Sequence, residues 1–321
     1  MVPRALYYAL DVHPRTVFQL RRSVESVRRH TQALPMYAAV SGALDTVDRT
    51  FLENRAVTVL NNGSAKVGPT YLKWYALRHD LPAEQLLYFD TDTFASGDPS
   101  QLFEAGADDF HARLEVGSER DPGAYPYRLN AQLVTRSQLD HELFDWICRA
   151  IGARALPIFN TGVMLFRNGV ARRVSSRWPD FVRLDRAFRR KRLPYPCRNA
   201  HILEQVVATL VLGTIDDLSW ASLPRHACPS YQEYRGGHVT SPGIVLHTWS
   251  ACYAACLFER DGADAAGAYT TLPPHDDARW AVTSRLLRLG STLWRLPNPV
   301  LERWVTIANL PNLEARGGRK D

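Results

Sequence analysis

The chain has 321 residues, 45% hydrophobic and 22% charged, which describes an ordinary soluble protein able to bury a core without disulfide or metal staples. Its net charge of +6 suits anionic partners such as nucleotide diphosphates or acidic lipid headgroups. Nucleic acid is the least supported of these, because aromatic-interleaved basic repeats and zinc-knuckle spacings are absent.

The N-terminal stretch, Met1 to Asp11, is a short apolar run interrupted by Asp11, and we read no signal peptide in it. No stretch approaches the roughly 20 apolar residues of a membrane span. Residues 5–10 form a continuous apolar run expected to be a buried strand. Residues 15–30 follow at helical spacing. Val17, Leu20, Val24 and Val27 share one face, and Arg21, Arg22, Arg28 and Arg29 lie largely off it. Residues 34–40 and 57–60 read as the next two strands, the latter ending in the turn-rich Asn61-Asn62-Gly63-Ser64. A helix opened by Pro69 precedes the apolar strand 86–89, which runs directly into Asp90. This alternation predicts a parallel sheet covered by helices, with ligands at the carboxyl ends of its strands, where Asp11 and Asp90 stand.

Residues 105–135 read as loop-rich and include Asp121-Pro122-Gly123. A helix is expected over 138–151, a strand over 159–166, a helix over 200–212 and a strand at 244–246 that ends at His247. Composition shifts to Gly, Ala, Asp and Pro near 261–276, which reads as a linker. The five cysteines, Cys148, Cys197, Cys228, Cys252 and Cys256, are odd in number and include no C-x-x-C pair. They read as free thiols of a reducing compartment rather than a disulfide framework or zinc ribbon.

Asp90-Thr91-Asp92 is the most chemical of the motifs. On extended backbone, residues two apart face the same side, so both carboxylates would point into one site. Two carboxylates this close repel unless a cation lies between them, and hard ions such as Mg²⁺ or Mn²⁺ take oxygen ligands from such groups. A solvated acidic turn after a strand is the other reading. His247 divides similarly, between a metal ligand and a hydrogen-bonded core residue.

The stretch from Lys73 through LLYFDTDTFASGDPSQLF (86–103) resembles the retaining glycosyltransferases of family 8, the glycogenin and bacterial galactosyltransferase group. Three further elements recur in that family's order: FNTGVMLF (159–166), EQ (204–205, where the family usually has Asp-Gln) and VLH (245–247). The resemblance covers roughly residues 5–256. It implies a GT-A, Rossmann-like α/β fold, a nucleotide-sugar donor (uridine by family habit), Mn²⁺ or Mg²⁺, and retention at the transferred sugar. Residue by residue, it implies a metal shell of Asp90, Asp92 and His247. Ala9, Leu10 and Asp11 would contact the base. Lys73, Asp90, Thr91, Asn160, Thr161 and Gly162 would line the donor. Asn160, Glu204 and Gln205 would face the reacting sugar.

The sequence departs from the family after His247. The usual Gly and diphosphate-gripping Lys are here Ser250 and Tyr253, and the next cation is Arg260. Glu204 is one methylene longer than the usual Asp. We take residues 1–260 as the catalytic domain, with an acceptor-side insertion at about 105–157, and residues 261–321 as linker and tail. In residues 279–304, arginines alternate with Trp280, Trp294, Trp304 and leucines. This segment reads as an amphipathic helix that either packs on the domain or lies on an anionic membrane. The expected location is cytoplasmic, peripheral to the inner membrane face. The acceptor is a saccharide, a lipid-linked species or a protein, and nucleic acid is not expected. Two rivals remain open. A haloacid-dehalogenase-like phosphatase would use Asp90 as nucleophile, with Ile215-Asp216-Asp217 as its later acidic pair. A non-catalytic nucleotide-binding relative of the transferase fold would account for the missing Lys.

Overall fold

Alternation along the first strand sets the architecture. In the computed structural model, β1 (Arg4–Asp11) turns Ala5, Tyr7 and Ala9 to one face and Leu6, Tyr8 and Leu10 to the other, and both sets are buried. A strand apolar on both sides belongs at the centre of a sheet covered on both faces. The structure describes residues 2–62, 71–116, 140–167, 169–196, 203–224, 226–228 and 243–247. All belong to the unit Met1–His247.

β1 is followed by α1 (Pro14–His30), β2 (Met36–Ser41), α2 (Thr46–Glu53), β3 (Val57–Asn61), α3 (Leu72–Ala76) and β4 (Gln85–Phe89). Next come β5 (Thr93–Ala95), a 3₁₀ turn (Pro99–Glu104), β6 (Phe110–Val116), α4 (His141–Ile151) and β7 (Ile158–Phe166). The described elements end with α5 (Val170–Ser176), α6 (Trp178–Arg189), α7 (Leu203–Gly213), β8 (Trp220–Ser222) and β9 (Val245–His247). The large sheet runs β3-β2-β1-β4-β7-β6-β8. β1 to β4 are mutually parallel, β7 is antiparallel to both neighbours, and β8 is parallel to β6. This is the expected mostly parallel sheet with helices on both faces. Helices α1 and α2 cover the Leu6 face, while α3 to α7 cover the Tyr7 face.

Two expectations change. Residues 110–116 lie inside the stretch read as loop-rich, yet they form β6 in the central sheet, with Phe110, Ala112 and Leu114 buried. The remainder of that stretch, 117–139, lies outside the described residues. Arg22 and Arg28, read as lying off the apolar face of α1, are buried. Arg28 is retained inside because its guanidinium donates to the carbonyls of Leu34 (2.9 Å), Arg55 (2.8 Å) and Ala56 (3.1 Å), so its donors are satisfied by three carbonyls at once. Arg22 lies over the Phe18 ring and reaches Glu25 at 3.2 Å.

α4 begins at Asp140, whose side chain accepts from Leu143 N at 3.0 Å, and stops at Gly152 in the left-handed region. Asp140→Ala is expected to cost about 1 kcal/mol of stability, the typical loss for a removed N-cap, measurable by urea unfolding. Burial pushes the Cys148 thiol up to about 11 and that of Cys228 to about 12, so both stay protonated at neutral pH. Among the described residues no helix is long and apolar enough to cross a membrane. The boundary at 260, the linker, the 279–304 segment, Ser250, Tyr253 and the other three cysteines lie outside the described residues.

Candidate metal centre

Asp90 stands immediately beyond β4, at the carboxyl edge of the parallel strands. The backbone here is not extended, as the spacing argument assumed. Thr93 donates from its amide (3.1 Å) and its hydroxyl (2.8 Å) to Asp90 O, closing a turn over 90–93. Thr93 is buried and its hydroxyl also meets Ser23 of α1 at 3.2 Å, which ties the turn to the helix. The chain then enters β5, which pairs antiparallel with β9 so that Thr93 lies opposite His247. That register brings a residue from the far end of the domain beside the two aspartates.

His247 Nε2 lies 3.3 Å from Asp92 Oδ1 and 3.8 Å from Asp90 Oδ2. One ligand atom from each of the three residues lies within 4.8 Å of the others, and all three side chains are half-buried. Ligands about 2.1 Å from a small divalent ion are separated by about 3 Å when adjacent and about 4.2 Å when opposite. The observed separations fall in that range, and two carboxylates with one imidazole suit Mn²⁺ or Mg²⁺ with positions left over for phosphate oxygens. The donor set fits one such ion. Burial alone would push the His247 imidazole down, but Asp92 and Asp90 outweigh this and hold it above its usual value. The pocket thus attracts positive charge even as a bare protein.

Behind the aspartates is a buried polar cluster. Lys73 Nζ on α3 lies 3.2 Å from Asp90 Oδ1, 3.1 Å from Thr161 O, 3.0 Å from Thr161 Oγ1 and 3.7 Å from Glu204 Oε2. Burial opposes its charge, but Asp90 and Glu204 outweigh that and raise it above the usual lysine value. The Tyr88 hydroxyl donates to Asp90 Oδ1. Glu204 on α7 accepts from Trp74 Nε1 and from Thr161 Oγ1 (2.8 Å). Its carboxylate is directed into this cluster, and burial raises it above the usual range although Lys73, Trp74 and Thr161 counteract.

Asn160, Thr161 and Gly162 occupy a bulge in β7. Consecutive residues Ala112 and Arg113 of β6 pair with Met164 and Asn160, so residues 161–163 have no partner on β6. The bulge lies past the end of β4, where Gly162 O accepts from Asp90 N at 2.8 Å. Asn160 Oδ1 accepts from Gly162 N at 3.0 Å, fixing the bulge from within. A Cβ on Gly162 would overlap the His247 ring. Glycine is therefore needed for close approach of the imidazole. Gly162→Ala is expected to displace His247 and lower stability by about 1–3 kcal/mol, the usual range for an overpacked site. Thermal unfolding checks the stability loss, and an accompanying loss of Mn²⁺-linked stabilisation checks the displacement.

The other sequence candidates divide. Ala9 and Leu10 are buried in β1, and Asp11 ends that strand with its carbonyl held by Thr16 Oγ1 at 2.6 Å. Thr91 donates to Gln19 Oε1 of α1 at 3.2 Å. Gln205 follows Glu204 on α7, and its buried Oε1 has no hydrogen-bond partner among the described residues. Asp216 and Asp217 occupy the turn after α7, and the described acids and histidines that converge are Asp90, Asp92 and His247. Tyr88, Trp74 and Gln19 went unread in the sequence as parts of the site. Tyr88 had a signal, since it stands two residues before Asp90 and so shares its side of the strand.

No protein-family model matches the chain, and no curated protein sequence matches it. Solved structures do. The bifunctional glycosyltransferase WbbM, in its apo form, superposes with a TM-score of 0.53 at 11% identity, over 78% of this chain and 46% of that one. An active-site glutamine-to-glutamate variant of LgtC superposes with a TM-score of 0.51 at 13% identity, over 84% of this chain and 98% of that one. The glycosyltransferase GlyE of Streptococcus pneumoniae TIGR4 gives 0.47 at 15% identity, over 77% and 55%. The chain thus spans about half the length of GlyE and of WbbM, and nearly the whole of LgtC. The likeness establishes the fold, which is the GT-A fold of glycosyltransferases.

Proposed function

We propose that the chain is a metal-dependent glycosyltransferase of the family 8 type. It would take a sugar from a nucleoside-diphosphate donor, with uridine as the expected base, and pass it to a saccharide, lipid-linked or protein acceptor. The observation that carries the proposal is the convergence of Asp90, Asp92 and His247 at the carboxyl edge of a GT-A sheet, the edge where such sheets bind ligands.

Asp90, Asp92 and His247 would hold the ion. A divalent ion there supplies Lewis-acid neutralisation of the charge that builds on the leaving diphosphate. The bond from the anomeric carbon to the β-phosphate oxygen breaks, the acceptor hydroxyl oxygen bonds to that carbon, and the hydroxyl proton passes to the departing diphosphate or to water. Lys73 holds Asp90 in place and, with Tyr88, fixes the carboxylate's orientation. The β7 bulge brings the buried Asn160–Gly162 segment to the same edge, where it would line the donor-sugar side of the site. Gln205 Oε1 offers a buried acceptor that a donor-sugar hydroxyl would satisfy. Glu204, one methylene longer than the family Asp, is committed to Trp74 and Thr161. In this reading it supports the sugar pocket instead of touching the sugar.

The test is a thermal-shift screen of nucleoside diphosphates and sugar nucleotides with and without Mn²⁺, because a ligand of the folded state must raise its melting temperature. It is paired with donor hydrolysis in the absence of acceptor. A Mn²⁺-linked shift with hydrolysis supports the transferase. A shift without hydrolysis supports a non-catalytic nucleotide binder. No shift with any diphosphonucleoside overturns the proposal.

A further inference from the structure

Much of the positive charge of this chain is concentrated on residues other than those of the metal centre. Residues 172–192, covering α5, α6 and the turn after them, hold nine cationic side chains and two carboxylates, a local surplus of seven where the whole chain carries +6. The rest of the chain therefore sums close to neutral, although 279–304 is locally basic as well.

The two carboxylates are already engaged. Asp180 is paired with Arg177 (3.0 Å) and Arg183 (2.9 Å), and Asp185 with Arg189 (2.8 Å) and the hydroxyl of Tyr71 (2.7 Å). Arg186, Arg190, Lys191 and Arg192 are exposed, and among the described residues none of them has a carboxylate partner. A helix C-terminus favours one or two cations through its dipole, but that accounts for only part of such a cluster. The inner face of α6, Phe181, Leu184 and Phe188, is committed to the core, so the cationic face is the one presented outward.

Beside these cations is an open groove of about 620 Å³. Trp178, Pro179 and Val182 give it an apolar side, and Arg183, Arg186 and Arg190 a cationic one. Apolar carbon and a phosphate-sized anion are thus offered places within one residue's reach of each other. A polyphosphate chain would use the arginines and leave the apolar side wet. A phospholipid headgroup uses both, with its phosphate on the guanidinium groups and its glycerol and first acyl carbons against Trp178 and Val182.

We infer that the α5–α6 surface docks the protein on an anionic phospholipid bilayer, with the Trp178 groove receiving a headgroup. Docking here is independent of the chemistry at Asp90, and it also differs from the 279–304 segment.

Flotation of the full-length protein with vesicles of phosphatidylglycerol and phosphatidylcholine, against phosphatidylcholine alone, tests it. Wild type is expected to float with the anionic vesicles only, and to be released as salt rises, because exposed charges are screened beyond about 8–10 Å near physiological ionic strength. Arg183→Glu, Arg186→Glu and Arg190→Glu together should weaken binding at least about tenfold, given the attraction each basic residue gains near an anionic surface. The milder triple change to Gln should give an intermediate loss. Both variants should keep the wild-type melting temperature and the wild-type response to Mn²⁺. Wild-type vesicle binding by the folded Glu variant overturns the inference. So does failure of wild type to float, including the case where it is captured by heparin or nucleic acid but not by vesicles.

Discussion

Asp92→Ala is expected to lower transferase turnover by at least ~10²-fold, comparable with losing a main electrostatic stabiliser of a transition state. Asp92 is the cleanest of the three proposed ligands to remove. Asp90 is also held by Lys73 and Tyr88, so its loss would disturb the buried cluster as well. His247 packs against Gly162 and belongs to β9. Asp92 faces His247 at 3.3 Å, and its side chain is 16% exposed. Truncating it removes one oxygen ligand and one negative charge and leaves the turn, whose backbone is closed by Thr93, intact. The melting temperature should therefore change little, while the Mn²⁺-linked increment with a diphosphonucleoside disappears. Turnover measured at saturating donor separates this from weaker donor binding. Unchanged turnover with the Mn²⁺ increment retained would remove Asp92 from the metal role.

The elements that sequence made legible are those whose apolar pattern is long and undisturbed. β1, α1, β4 and β7 each bury a continuous run or a clear face. What escaped has a specific physical cause. β6 alternates Phe110, Ala112 and Leu114, but His111 and Arg113 between them and the turn-rich segment after it concealed a buried strand that lies between β7 and β8. α6 carries Phe181, Leu184 and Phe188 at helical spacing, yet its arginines dominate the composition. At the site, the D-x-D argument reached two carboxylates that do converge, but through a different backbone. Carboxylates two apart share a side on a strand, whereas here they converge because a turn and the β5–β9 pairing place His247 between them. Nothing local in VLH announces that pairing. It is a contact between residues more than 150 positions apart, visible only through family resemblance or in three dimensions. The inward commitment of Glu204 was hidden for the same reason, since its partners Trp74 and Thr161 come from other elements.

Lys73→Met is expected to destabilise the fold by about 3–5 kcal/mol, the cost of breaking a buried ion pair by deleting one member. Lys73 and Glu204 are 8% and 10% exposed at the side chain, so water cannot take over the lost partner. Asp90, at 27%, is more open and contributes less to the penalty. The pH dependence carries a sign that identifies the cause. Burial already raises the Glu204 carboxyl, and Lys73 is the main group holding it down. Without the lysine it rises further. A carboxyl raised in the folded state favours folding while protonated, and that contribution is lost as pH climbs from the unfolded value through the folded one. The deficit of the variant relative to wild type should accordingly be larger at pH 8 than at pH 5. Lys73→Met with Glu204→Gln removes both charges and should recover about 0.5–3 kcal/mol, the range of coupling between contacting residues. Urea unfolding of the four proteins at both pH values measures all of these differences. A deficit that is equal at the two pH values, with no recovery in the double variant, would mean that Lys73 acts through packing and that the site's aspartates are held by something other than this pair.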